Sequence, residues 1–296
     1  MANPLVSIAL CTYNGEQYLA EQLDSIISQT YQNLEIVVVD DSSSDRTAAI
    51  VKDYAGRDSR ISYFINENNL GFNRNFEKAL SLTSGDFIAI SDQDDIWLPD
   101  KVNALLKNID NNWLIFSNSS YIGNAAEGEM LKDFSLPGNY KGIVLHNYVT
   151  GHTTLLRREL LGFALPIPAV GYYDWWLGFI AAYHHKIAYL PQALTLHRIH
   201  TASVMQKVAN EDNVRQQGFE ITACMLSEFA GYRHLKPEDK TFISVLHKAY
   251  RLSGSQHRPM LLMKMVYKYY EALFPNAKRR RWFSKLNFAR KYAKGI

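Results

Sequence analysis

Ile36-Val37-Val38-Val39-Asp40-Asp41-Ser42-Ser43-Ser44-Asp45 decides the fold, because a β-branched apolar run stops at two carboxylates and a string of hydroxyls. An unbroken run of this kind, rather than an alternating one, is expected of a strand covered on both faces. On its N-terminal side, Val6 to Leu10 reads as another short strand, followed by Thr12-Tyr13-Asn14 and a turn at Asn14-Gly15. Leu19, Leu23, Ile26 and Ile27 then recur at offsets of 4, 7 and 8, one face of a helix. Asn14 is placed as the N-cap of that helix, with Gln17 at its third position. On the C-terminal side, Ser44 or Asp45 can cap a helix carrying Ala48, Ile50, Val51 and Tyr54. A third strand is expected at Ile61 to Ile65, a third helix at Phe72 to Leu82 and a fourth strand at Phe87 to Ser91.

This β-α-β-α alternation predicts an α/β protein with a mainly parallel sheet flanked by helices. Ligands of such sheets lie beyond the carboxyl ends of the strands. The polar clusters fall at those ends: Thr12-Tyr13-Asn14, Asp40-Asp41 and Asp92 to Asp95. Neither Gly-x-Gly-x-x-Gly nor a Walker loop follows the first strand, which disfavours dinucleotide and P-loop nucleotide binding.

The third cluster lies in Ser91-Asp-Gln-Asp-Asp-Ile-Trp-Leu-Pro-Asp-Lys101. Asp92, Asp94 and Asp95 repel one another unless a cation or proton neutralises them. A strand that ends in them can hold a divalent metal, and such metals usually bind phosphates. The same residues also suit an acidic turn before a helix started by Pro99.

Composition bounds the rest. With 47% hydrophobic and 21% charged residues, the chain is globular rather than disordered or collagen-like. No apolar stretch approaches the roughly 18 residues that span a bilayer, and no basic segment precedes the first apolar run, so a cytoplasmic protein is expected. Cys11 and Cys224 lie too far apart in sequence to suggest a disulfide framework or zinc site. From Trp113 to about His200 the pattern is irregular, with strands expected at Trp113 to Ser117 and Thr153 to Leu156 and a helix at Asp174 to Tyr183. Beyond Ser203 helices are expected at Arg215 to Gly231, Thr241 to Leu252 and Pro259 to Phe274. After Glu271 there is no acidic residue but eight cations, so a net charge of +3 leaves 3 − 8 = −5 on the part before them. The segment Arg281 to Lys294 sets Trp282, Leu286, Ala289 and Ala293 on one helical stripe among basic residues. Such a segment suits either an anionic membrane surface or docking on the domain, and nucleic acid is disfavoured because nothing else in the chain is basic.

Ser7-Ile-Ala-Leu-Cys-Thr-Tyr-Asn14, Val38-Val-Asp-Asp-Ser-Ser-Ser-Asp45 and Asp92-Gln-Asp-Asp95 together resemble the inverting family 2 glycosyltransferases of GT-A fold. The longer string from Asp92 to Lys101 resembles bacterial enzymes of surface-polysaccharide assembly, often called rhamnosyltransferases. The resemblance covers Pro4 to Val204. It implies a GT-A domain over 1–204, with a nucleotide-binding half at 1–100 and an acceptor half at 101–204, and a helical, basic extension over 205–296. It implies that Thr12, Tyr13, Asn14, Asp40 and Asp41 meet the nucleoside of a nucleotide-sugar donor, with Arg74 and Asn75 as further contacts. A carboxylate suits that role because it accepts hydrogen bonds from ribose hydroxyls or a pyrimidine N–H. Asp94 would ligate Mg²⁺ or Mn²⁺ across the diphosphate, with Asp92 nearer the ribose and Asp95 in support. Asp174, in Gly171-Tyr-Tyr-Asp-Trp-Trp176, stands where the family places the base that deprotonates the acceptor, and it also suits a helix N-cap. The family often has Glu before this Asp, where this chain has Tyr173.

In Leu196-His-Arg-Ile-His200, the resemblance implies that His200 lies near the diphosphate as a metal ligand, and Arg198 could pair with phosphate. His197 and His200 can equally be structural. His152, Trp175 and Trp176 are expected near the acceptor. Neither the Gln-x-x-Arg-Trp motif nor the membrane helices of processive members is found, which implies transfer of one or few sugars to a saccharide or lipid-linked acceptor at the inner face of the cytoplasmic membrane. A sugar nucleotidyltransferase would need a Gly-rich triphosphate loop where Thr12-Tyr-Asn-Gly15 stands, and a non-catalytic sugar-binding protein need not keep the acidic cluster or Asp174.

Overall fold

The computed structural model describes residues 3–123, 135–199, 214–256 and 258–295, which divide into two compact units. The first unit holds an eight-stranded sheet of order β3-β2-β1-β4-β7-β6-β8-β5. Its parallel half is β1 (Val6–Thr12), β2 (Leu34–Asp40), β3 (Ile61–Ile65) and β4 (Phe87–Ser91). The helices α1 (Leu19–Ile27), α2 (Thr47–Arg57) and α3 (Phe72–Leu82) make the crossovers. All of β1 and β4 is buried, and β2 is buried throughout except half-buried Glu35, as the β-branched runs require.

β5 (Ile96–Trp97), α4 (Lys101–Asn108), β6 (Leu114–Ile122), β7 (Thr154–Arg157), α5 (Leu161–Ala164), α6 (Tyr173–Tyr183) and β8 (Ile187–Arg198) complete the unit. β7 runs antiparallel between β4 and β6, and β8 runs parallel to β6. The 12-residue β8 does not show in the sequence pattern. Pro191 interrupts it, and its ladder with β6 shifts register at Ser117/Asn118 and Asn118/Ser120, so no regular alternation survives.

Two local expectations are corrected. Asn14 does not cap α1, which begins at Leu19 after Tyr18. Asn14 instead turns with φ +48, a conformation that asparagine tolerates, and ties to the loop after β2. Its N–H donates to Ser43 Oγ at 2.9 Å, and its Oδ1 accepts from the Ser44 N–H at 2.9 Å. The helix expected from Pro99 starts at Lys101, because Pro99 and Asp100 form a turn against Thr30.

The second unit is helical: residues 135–148 and 170–172 pack with α7 (Val214–Gly231), α8 (Pro237–Gln256), α9 (Met260–Lys268), α10 (Tyr270–Leu273) and α11 (Trp282–Gly295). The single helix expected over Pro259 to Phe274 breaks at Tyr269, whose φ is −108. A Cβ on Gly254 of α8 would lie 2.1 Å from the Phe219 ring of α7, so only glycine permits that close approach.

Candidate active site

Register delivers the chemistry to one edge of the first unit. Thr12 pairs with Asp40 and Leu10 with Ser91, so the ends of β1, β2 and β4 emerge side by side. Thr12 and Asp40 are buried, and the Thr12 hydroxyl donates to Asp40 Oδ1 at 2.7 Å. Asp40 also accepts from the Ser43 N–H at 2.8 Å. Asp41 is buried as well. Its Oδ1 accepts from Asn66 Nδ2 and the Leu70 N–H, both at 2.8 Å, and its Oδ2 accepts from the Gly71 N–H at 2.9 Å. Asn75 is buried and gives Nδ2 to the Val39 carbonyl at 3.0 Å, while its Oδ1 accepts from Asn66 at 2.9 Å. Arg74 donates to the Ile167 carbonyl at 2.9 Å and pairs with Glu77. These side chains fasten the loops after β2 and β3. Of the residues expected at the donor, Tyr13 is the aromatic ring left open, at 49% exposure.

Gln93 joins this edge to the acidic loop. Its Oε1 accepts from the Tyr13 N–H at 2.8 Å, and its Nε2 donates to the Tyr13 carbonyl at 3.0 Å. Gly15 makes room, since a Cβ there would stand 2.2 Å from Gln93 Oε1.

Within the acidic loop the three carboxylates differ. Asp92 and Asp94 are half-buried, whereas Asp95 is fully enclosed. Asp95 Oδ1 lies 3.0 Å from His197 Nδ1 and accepts from the Arg198 N–H at 3.2 Å. Its Oδ2 lies 3.6 Å from His152 Nδ1 and has no hydrogen-bond partner among the described residues. His152 Nδ1 is also 3.7 Å from Asp92 Oδ2. The His152 and His197 rings stack in parallel, 4.8 Å apart and 1° from coplanar orientation. Burial would raise the Asp95 pKa, but the imidazoles of His152 and His197 hold it down at about 2. Burial works to lower that of His197, yet the hydrogen bond and charge of Asp95 carry it above the ordinary histidine value.

Lys101, fully buried, underlies this cluster. Its Nζ donates to the His152 carbonyl at 2.5 Å and sits 3.6 Å above the Trp97 ring. Burial pushes its pKa well below the lysine range, against the pull of Asp95 and Asp92. Burial also raises the Cys11 thiol, with Asp92 and Asp41 adding to the effect, so it is no nucleophile.

Asp174 reaches the same place through the 3₁₀ turn Gly151–Thr153. Its Oδ2 accepts from the Gly151 N–H at 3.1 Å, and its Oδ1 accepts from the Trp175 N–H at 2.7 Å. Tyr173 explains why that turn is tight, because a Cβ on Gly151 would lie 1.9 Å from the Tyr173 hydroxyl. The Tyr173 ring stacks on Phe76, 4.2 Å between centroids, and burial raises its pKa, with Asp92 and Asp174 adding to it. Tyr173 therefore belongs to the site, and the glycine before His152 is the sequence signal of it.

Trp175 and Trp176 do not form the expected acceptor platform. Both are buried, and Trp176 Nε1 donates to the Ala164 carbonyl at 2.8 Å. His152 faces the acidic loop rather than the surface. His200 lies outside the described residues. Arg198 is taken up locally, with Nε on the Asp94 carbonyl at 3.1 Å and Nη2 paired with Glu21 at 2.6 Å.

By residue type the loop and its histidines fit a divalent cation. Asp95, His152 and His197 each offer a ligand atom, all within 4.8 Å of one another. Asp95 Oδ2, without a hydrogen-bond partner among the described residues, is an acceptor with capacity for an ion. Carboxylates alone suit Mg²⁺ or Mn²⁺, whereas imidazole in the set favours Mn²⁺. Half-exposed Asp92 and Asp94 offer further carboxylate oxygens beside that set.

Comparison with known proteins identifies the fold and the family. The chain is 33% identical over 185 residues, 59% of its length and 70% of the relative's, to the Escherichia coli enzyme described as UDP-Glc:alpha-D-GlcNAc-diphosphoundecaprenol beta-1,3-glucosyltransferase WfgD. The structure of S. aureus TarS 1-349 in complex with UDP-GlcNAc superposes with a TM-score of 0.64 at 19% identity, covering 98% of this chain and 88% of that one. The mannosyltransferase PcManGT from Pyrobaculum calidifontis, in complex with GDP-Man and Mn²⁺, gives 0.59 at 20% identity over 99% and 81% of the two chains. The fold is thus the GT-A fold, a mixed sheet flanked by helices with further helices at the C-terminus. The family model described as Glycosyl transferase family 2 matches residues 7–162, and the chain belongs to that family.

Proposed function

We propose that this chain is a metal-dependent inverting glycosyltransferase that moves one sugar from a nucleotide-sugar donor, dTDP-rhamnose or a UDP-sugar, to a saccharide or lipid-linked acceptor in surface-polysaccharide synthesis. The observation that carries this reading is the Gly151–Thr153 turn, which bonds Asp174 on one side and sets His152 against Asp92 and Asp95 on the other. A leaving-group site and a base for the acceptor are thereby held on one short segment.

Asp174 takes the proton of the acceptor hydroxyl as that oxygen attacks the anomeric carbon, on the face opposite the leaving group. The bond from the anomeric carbon to the diphosphate oxygen breaks, and its electron pair leaves with the nucleoside diphosphate. Asp94, with Asp92 beside it, would hold a divalent cation, which would supply neutralisation of the charge that develops on that diphosphate. Tyr13 offers its open ring to the base, while Thr12, Asp40, Asp41 and Asn75 hold the loops that shape the nucleoside side. The WfgD name includes a diphosphoundecaprenol acceptor, which supports a lipid-linked acceptor here and a place at the inner face of the cytoplasmic membrane.

The test is nucleotide release from a panel of UDP-, GDP- and dTDP-sugars with Mn²⁺ or Mg²⁺ and lipid-linked oligosaccharide acceptors. One donor should turn over, and chelation should stop it. Metal-dependent nucleotide binding without turnover on any donor would identify a sugar-binding protein instead. Release of pyrophosphate from a nucleoside triphosphate and a sugar phosphate would identify a nucleotidyltransferase.

A further inference from the structure

The basic segment at the end of the chain has no part in the chemistry above, and the structure divides it into two faces. Ala289 and Ala293 of α11 are buried in the helical unit, and Phe274 meets the rings of Phe288 and Tyr292 edge-on at 5.0 and 4.9 Å. The stripe expected from sequence is therefore split, because Trp282 and Leu286 do not go in with the two alanines. Trp282 is 64% exposed, Phe283 69% and Leu286 38%. In a helix these three span about 100° of one side, and Arg290 continues the row of Trp282 and Leu286. Two bulky aromatics side by side on an exposed first turn are costly unless something covers them.

The cations divide in the same way. Lys285 pairs with Glu271 at 3.0 Å, and Arg280 gives Nε to the Tyr270 hydroxyl at 3.0 Å while lying over Phe288. Those two charges serve packing. Lys278, Arg279, Arg281, Arg290, Lys291 and Lys294 are exposed, and the sequence after Glu271 holds no carboxylate.

We propose that Trp282, Phe283 and Leu286, with the exposed cations around them, form a docking face for an anionic phospholipid surface. Aromatic rings rest at the boundary of headgroups and acyl chains, and basic side chains reach from there to lipid phosphates. Their long stems lie along apolar surface while the charged ends stay in water. Among the described residues no helix is long and apolar enough to cross a membrane. This proposal rests on the tail and holds whichever donor the enzyme uses.

The test is sedimentation of the full chain with vesicles of phosphatidylcholine alone or mixed with phosphatidylglycerol. The protein should partition onto the mixed vesicles and weaken as salt is raised. Trp282→Ser with Phe283→Ser should reduce partition roughly tenfold without changing the thermal melt, since both side chains are exposed. Lys278→Gln, Arg279→Gln and Arg281→Gln together should reduce it on phosphatidylglycerol only. Equal partition by the serine double variant, or no partition by the native chain, overturns the proposal. So does a dimer in solution that the double variant dissolves, or tight binding of single-stranded nucleic acid with no vesicle binding.

Discussion

Asp41 and Asp95 lie beyond the ends of β2 and β4, the two strands that flank β1; both are carboxylates and both are buried, and they differ in what answers them. Asp41 receives three donors, two of them backbone N–H groups, so its charge is matched by the framework. Asp95 receives a histidine and one backbone N–H on Oδ1, while Oδ2 is left over beside a second histidine. A carboxylate saturated by backbone dipoles is a fastening. One that leaves an enclosed acceptor unanswered beside half-exposed Asp92 and Asp94 has capacity for a ligand. Acidic residues at strand ends thus divide into framework and chemistry by counting donors, which sequence alone does not allow.

Substitutions along this division give the sharpest tests. Asp174→Asn can accept only one of the two bonds that Gly151 and Trp175 donate, and it removes the proton acceptor. Single-turnover transfer should fall by about 10³-fold with donor affinity retained, and full activity would remove Asp174 from the mechanism. Asp94→Ala should weaken Mn²⁺-dependent nucleotide binding by at least about 100-fold in calorimetry, with little change in the melt. Asp41→Ala should do the reverse, lowering stability by roughly 3 kcal/mol in urea unfolding because three donors lose their acceptor, with metal affinity altered far less. If Asp41→Ala instead abolishes metal binding while the protein stays as stable, the division fails.

The histidine pair adds a smaller, pH-dependent effect. The folded pKa of His197 is raised, so its pairing with Asp95 stabilises below about pH 6.5, the unfolded value, and is lost as pH rises through the folded one. Asp95 works in the opposite window, stabilising above about pH 3.9 and failing as pH falls toward 2. Melting of the chelated protein between pH 5 and 9 should show the decline with rising pH, and His197→Gln should flatten it. An unchanged slope would show that the pair contributes nothing.

The parallel half of the sheet was legible because runs such as Ile36 to Val39 are buried on both sides and leave a continuous apolar signature. The ends of those strands were legible for the same reason, as the place where the signature stops. What lay beneath the acidic loop was not. His197 stands 102 residues from Asp95, and it arrives because β5 pairs antiparallel with β8, Ile96 opposite Leu196 and Trp97 opposite Thr195. Pro191 concealed β8 itself. The tryptophans after Asp174 show the converse error: an aromatic run beside a candidate base reads as a sugar platform, but α6 is buried over most of its circumference. Nothing local marks an aromatic as core rather than binding surface when both environments are apolar.

Gln93 carries a consequence for the entropy of binding. Its amide pairs with both backbone groups of Tyr13, as a neighbouring strand would, and so fixes the Asp92 to Asp95 loop to the end of β1 as the chain folds. The configurational entropy of that loop is therefore lost during folding and not on contact with a nucleotide. Gln93→Ala should leave the enthalpy of nucleotide binding nearly intact and make its entropy less favourable, a change that calorimetry separates from loss of a ligand atom.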